Sequence, residues 1–165
     1  YFELVTDMVL IENQISSMLS SIEEIEIINN NLNTDINKND FVIDYNYEYK
    51  VAHQMYMASN YDSSIKKFRY LLDNDIPNDL ADNCQFWIAQ ILFVKNNYKL
   101  AIEEFNKVLN YDNSNKKPNA LYKIGLCYIK INNNTKAIES FEKIINAYPK
   151  SEYYNKANEF ILNIK

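Results

Sequence analysis

The sequence predicts an all-α chain: an N-terminal coiled-coil helix, then an α-solenoid of three helix pairs, closed by a C-terminal capping helix. Three observations carry this. Turn-forming residues are scarce, with one Gly and three Pro in 165 residues, where a β-rich fold needs many more. Apolar residues over 1–36 recur at alternating steps of four and three, the 3.5-residue period of a coiled coil. From residue 45 the chain repeats itself at offsets of 37 and 36 residues, a period found in solenoids.

The coiled coil comes first, over 1–36. Tyr1, Met8, Ile15, Ile22, Asn29 and Ile36 fall at a positions, and Leu4, Ile11, Met18, Ile25 and Leu32 at d positions. These apolar residues, from Leu4 to Ile36, are the expected oligomerisation face. Isoleucine at both a and d favours three or more strands over two. Val5, Leu19 and Ile28 widen the apolar face in the same sense. A homotrimer is therefore expected. Asn29 is the one polar a residue. It either fixes register, as a buried a-position Asn does, or marks the fraying end of the helix before "NNNLNTDINKND". Asp7 at g and the following Glu12 at e would meet as like charges in a parallel homo-oligomer, at a cost of tenths of a kcal/mol. That arrangement also suits a different, more basic partner helix. Tyr1 already occupies an a position, so the coiled coil is expected to continue upstream, where a signal peptide or lipid anchor would also lie. Residues 37–44, "NKNDFVID", read as a short linker with Asp44 as the next helix's N-cap.

The remainder, 45–165, is the repeat domain, with repeats at about 45–79, 80–117 and 118–149 and a capping helix over 150–163. Seven columns define the alignment. Ala52, Ala89 and Gly125 form one; Ser64, Ala101 and Ala137 another; Phe68, Phe105 and Phe141 a third. Tyr49, Phe86 and Tyr122, then Asn60, Asn97 and Asn133, keep the same spacing, as do Ile65, Ile102 and Ile138, and Leu72, Leu109 and Ile145. Each unit reads as two helices, the first near 45–58, 80–95 and 118–131, the second near 61–73, 98–110 and 135–147. The turns between them, "SNYD", "KNNY" and "INNNT", are rich in residues that favour turns and helix starts. Pro77, Pro118 and Pro149 lie between units, at or near first-turn positions that tolerate Pro. The two small columns let the helices of each pair approach closely, with the Phe column filling the space beside them. Gly125 is thus expected to be a packing residue. "KSEYYNKANEFILN" gives the final amphipathic helix, which a solenoid end requires.

These units resemble the tetratricopeptide repeat. Leu121, Ile124, Gly125, Tyr128, Ala137, Phe141 and Pro149 occupy that family's signature spacing in the third unit. The second unit keeps Ile88, Ala89, Ala101 and Phe105, with Asn113 where proline is usual. A narrower resemblance lies in "QFWIAQILFVKNNYKLAIEEF", "KKPNALYKIG" and "AYPKSEYYNKA". These are similar to the repeats of the YbgF/CpoB family, periplasmic proteins associated with the Tol–Pal system that join a trimerising coiled coil to such repeats. The chain departs from that family in its very short linker, its acidic coiled coil and its two cysteines. The resemblance implies a periplasmic or cell-envelope location and a part in envelope maintenance or division.

Composition and charge narrow the function. Residues 1–37 hold seven acidic side chains and no Lys or Arg, which leaves 15 acidic and 17 basic residues for the rest. No basic stripe offers a nucleic-acid surface, and no apolar run approaches the ~20 residues of a membrane span. His53 is the only histidine and one Gly excludes a phosphate-binding loop. An enzyme is not expected, nor a metal or other cofactor. Cys84 and Cys127 read as small buried side chains. The informative columns belong to the first helices, which in this fold line the concave groove: Asn46, Asn83, Asn119 and Asn155; Tyr49, Phe86 and Tyr122; His53, Gln90 and Leu126. Asn amides bond a peptide backbone and aromatic rings supply apolar contact beside it. A peptide or helix of a protein partner is the expected ligand. The Asn column also lies near helix N-termini, where Asn serves as a cap. Two readings follow. One is a self-associating interaction hub; the other is a structural subunit of a larger envelope or motility assembly, its acidic helix paired with another chain.

Overall fold

A computed structural model of the protein describes residues 44–74 and 76–164. The heptad positions and the trimer they imply lie outside the described residues. Among the described residues there are seven helices and no strand. They are α1 (Tyr45–Met57), α2 (Tyr61–Asp73), α3 (Asn78–Val94), α4 (Tyr98–Leu109), α5 (Lys117–Lys130), α6 (Asn134–Ala147) and α7 (Tyr154–Ile164). The capping helix starts at Tyr154 rather than Lys150, because residues 149–153 form a turn in which the Ser151 hydroxyl accepts from the Tyr153 amide at 3.2 Å.

Local chemistry sets the helix ends. The Asp44 carboxylate accepts from the Tyr47 amide at 3.0 Å and caps α1, as Asp at an N-cap does. Each first helix ends in the same motif. Ser59, Asn96 and Asn132 take positive φ of 60°, 61° and 59°. The amide of Ser59 donates to the Tyr56 carbonyl at 2.9 Å and that of Asn60 to the Met55 carbonyl at 2.8 Å. The equivalent pairs recur after α3 and α5. This is the Schellman arrangement, which satisfies the last carbonyls of a helix. Asn tolerates the left-handed conformation better than other non-glycine residues, which accounts for two of the three turns carrying it. Asn60, Asn97 and Asn133 then serve as N-caps of the second helices.

Packing follows the columns. Phe68, Phe105 and Phe141 are fully buried, as are Ala52, Ala89, Ala101 and Ala137. The Ser64 hydroxyl donates to the Ala52 carbonyl at 2.8 Å, so a small side chain there brings α2 directly onto the α1 backbone. Three core clusters form, each from one helix pair and the first helix of the next. α7 closes the third with Ala157 and Ile161 and presents Asn155, Lys156, Asn158 and Glu159 to solvent. Both cysteines are buried and free, Cys84 in the first cluster and Cys127 in the second. Burial pushes each thiol up to about 12, so neither is a thiolate at neutral pH.

Candidate functional site

The first helices lie side by side through direct side-chain contact. Between α1 and α3, the Trp87 indole N–H donates to the Tyr49 hydroxyl at 2.8 Å. His53 and Tyr56 pack on the same indole, with ring centroids 4.6 and 4.8 Å away. Between α3 and α5, the Lys123 ammonium stands over the Phe93 ring, 4.9 Å from its centroid. Burial lowers the Lys123 pKa, because desolvation disfavours its charged form. Between α5 and α7, Tyr122 packs on Phe160 at 6.0 Å, and on Tyr153, in the turn before α7, at 5.0 Å. The four first helices therefore share one continuous face, and the columns read from the sequence run across it.

The columns have different fates. Tyr49 and Tyr122 are half-buried on this face, and burial raises both phenols above the ordinary tyrosine range. Phe86 departs from expectation. It is buried, 6% exposed, in an edge-to-face contact with Phe105 at 5.5 Å. It is a core residue that no partner reaches, and Trp87, one residue on, is half-buried on the face. His53, Gln90 and Leu126 are all half-buried on it, and Leu162 extends their column onto α7 at 77% exposure.

The asparagine column does not cap helices: α1, α3 and α5 have Asp44, Pro77 and Lys116 at their N-caps. Asn46 and Asn155 are exposed. The Asn83 amide donates to the Asp79 carbonyl at 2.7 Å, a bond within its own helix. Asn119 differs: its Oδ1 is buried and has no hydrogen-bond partner. The Oε1 of Gln90, on the same face, is in the same condition. A buried amide oxygen without a donor costs about 1–3 kcal/mol.

Four further residues belong to this face and were not among the expected ones: Tyr56, Trp87, Phe93 and Lys123. Tyr56, Phe93 and Ile129 are a column at the same offsets as the others, and so are Lys50, Trp87 and Lys123. Beside them, Met57 is 69% and Val94 38% exposed, which leaves apolar surface open at the C-terminal ends of α1 and α3.

Residues 83–115 and 119–151 each match a family model described as tetratricopeptide repeat. No curated protein is recognisably similar to this chain. Solved structures are. The type III secretion translocator chaperone SycD of Yersinia enterocolitica, in complex with a peptide of the translocator YopD, superposes with a TM-score of 0.64 at 18% identity, over 76% of this chain and 96% of that one. A CopN–Scc3 complex gives 0.60 at 21% identity, over 78% and 79%. The crystal structure of MamA gives 0.55 at 16% identity, over 73% and 76%. The described residues form a solenoid of the tetratricopeptide type.

Proposed function

We propose that this chain is a non-catalytic scaffold that holds a protein segment against its first-helix face. The observation that carries this reading is the pair of buried, unpartnered amide oxygens, Gln90 Oε1 and Asn119 Oδ1, set among half-exposed aromatic and aliphatic side chains. A peptide backbone supplies the N–H donors these oxygens lack, and its side chains cover the apolar surface between them. The SycD–YopD peptide complex supports the reading, since a protein of the same fold was solved with a peptide ligand.

The test uses peptides selected from a displayed library on the full chain. Gln90→Ala or Asn119→Ala lowers the affinity of the selected peptides by about tenfold. Lys107→Ala, on the second-helix side, leaves it unchanged. Far-UV circular dichroism checks that each variant is folded. Peptides indifferent to both groove substitutions would sink the reading.

In this proposal residues 1–36 join three copies, so that linked solenoids gain avidity for clustered partners. By its resemblance to the YbgF/CpoB family, the setting is the periplasm and the work is envelope maintenance or division with Tol–Pal. The seven acidic residues of 1–37, and the like charges Asp7 and Glu12 in particular, favour a second reading: a fixed subunit of a larger envelope or motility assembly, whose N-terminal helix pairs with a basic helix of another chain. Light scattering separates the two. Under the first, the full chain weighs three times one chain, and a version starting at Asp40 weighs one. A full chain that is monomeric alone and gains mass only with a basic amphipathic helix selects the second.

A further inference from the structure

Between the start of α3 and the α4–α5 loop lies a cavity of about 500 Å³, lined by Asp79, Asp82, Asn110, Tyr111, Asp112 and Asn113 among others. Asp82 is 6% exposed, and its Oδ1 has no hydrogen-bond partner. A buried carboxylate is normally held by a cation or by several donors. Glu104 shows what that looks like in this protein: Gln85, Lys107 and Arg69 reach its carboxylate at 2.5, 2.9 and 3.5 Å. Among the described residues no ion pair joins Asp79, Asp82 or Asp112 to a Lys or Arg. The Lys117 ammonium donates to the backbone carbonyl of Asp112 at 2.8 Å.

The repeat itself supplies a control. The next unit carries a cavity in the equivalent place, lined by Asn115, Pro118, Tyr148 and Pro149 among others. Asn115 and Pro118 stand 36 residues after Asp79 and Asp82, and Tyr148 and Pro149 stand 37 after Tyr111 and Asp112. That second cavity is also lined by Lys150 and Glu152, but its aligned positions hold Asn115, Pro118 and Pro149, so the fold makes the slot without an Asp at any of the three places. The three carboxylates belong to this slot alone.

We propose that this slot receives a guanidinium group: an arginine side chain enters it, pairs with Asp82 at its floor and Asp79 and Asp112 at its rim, and lies against Tyr111. The carboxyl torsion of Asp is soft, so Asp82 turns its buried oxygen toward an entering donor. A metal ion fits less well. Among the described residues no three carboxylate, imidazole or thiol groups converge to hold one. The several acceptors around an open volume instead match a flat cation with five donors, weak hydration and affinity for an aromatic face. This site uses none of the groove residues and stands independently of the groove reading.

The experiment follows backbone amide resonances of the full chain during titration with N-acetyl-arginine amide, beside the citrulline analogue, which has the same shape without the charge. Saturable shifts at Tyr111 and Asn113 with arginine and none with citrulline are expected. Asp82→Asn weakens the arginine affinity by about tenfold or more. The double variant Asp79→Asn/Asp112→Asn changes only exposed side chains, so it keeps the test decisive if Asp82→Asn does not fold; it weakens binding several-fold. Equal response to citrulline, or variants that bind as the parent does, overturns the proposal. So does calcium chloride reproducing the shifts while arginine causes none. Free L-arginine and an acetyl-Gly-Arg-Gly-amide peptide then separate the sources. Tighter binding of the peptide assigns the site to a protein segment, and tighter binding of the amino acid assigns it to a small molecule.

Discussion

Phe105→Ala lowers the unfolding free energy of this protein by about 3–5 kcal/mol, measured by urea denaturation of the full chain. Phe105 is fully buried at the centre of the middle helix pair. Its ring meets Phe86 edge-to-face at 5.5 Å and shares a cluster with Ala89, Ala101, Val108, Ile124 and Cys127. Truncation removes the ring and leaves a cavity that α3 and α5 cannot freely close upon, since α3 is also packed against α2 and α5 against α6. The position within the solenoid matters as much as the burial. Stability in a repeat array is a sum of unit terms and nearest-neighbour interfaces. The middle pair takes part in two interfaces, so weakening it uncouples the flanking pairs. A broader, less cooperative transition is expected together with the loss. Domains of this size hold about 5–15 kcal/mol in total, so the variant sits near the edge of folding. Phe93→Ala, on the half-exposed first-helix face, is the comparison and loses less. A loss for Phe105→Ala below about 1 kcal/mol would be incompatible with the packing described here.

The same packing explains why the architecture could be read in advance. A helix hairpin that brings two backbones together needs small residues where they touch and a large one beside the contact. Those demands fall at fixed positions in each unit, so the small residues at Ala52 and Ser64 and the ring at Phe68 have counterparts 37 and then 36 residues on. The left-handed turn at Ser59, Asn96 and Asn132 recurs for an equally local reason. What depends on a single helix pair is written in that pair's own sequence.

The candidate site was less legible because it depends on neighbours. Tyr49, Phe86 and Tyr122 share a column, yet one bonds Trp87, one is buried against Phe105 and one packs on α7. A column fixes the direction of a side chain from its own helix. What lies opposite comes from the adjoining unit, and each unit here has a different neighbour. Each ring of the column packs on the Phe of its own pair, at 5.7, 5.5 and 5.9 Å, and the differences come from what the adjoining unit adds, as Trp87 does beside Tyr49. Asp82 is hard to read from the sequence for a related reason. Its column holds Pro118 in the next unit, so no repetition marked it. Only burial without a partner sets it apart.

Gly125→Leu is expected to cost about 3 kcal/mol, and Gly125→Ala about 1 kcal/mol. Gly125 does not have a positive φ, so its backbone needs no special freedom. The constraint is space. A Cβ at position 125 would lie 2.5 Å from Phe141 Cε1 and 2.6 Å from Cζ. Phe141 is fully buried, with Phe160 stacked on it at 5.3 Å and Tyr122 tilted against it at 5.9 Å, so its ring cannot swing aside. For alanine two effects compete. Helix propensity favours Ala over Gly by about 0.8–1.0 kcal/mol, while forcing a methyl into a packed core costs about 1–3 kcal/mol. The contact is short and its partner is held from two sides, so overpacking wins by a small margin. For leucine there is no such offset beyond the first carbon. Ala52 and Ala89, in the same column, face Phe68 and Phe105 in pairs that already accommodate a methyl, so the obstacle at 125 is the ring and not the helix. A double-mutant cycle isolates it. Phe141→Leu removes the atoms that the new methyl would strike, and Gly125→Ala in that background recovers its propensity gain and becomes stabilising. Strict additivity of the two substitutions would mean that the Phe141 ring is not what keeps position 125 a glycine.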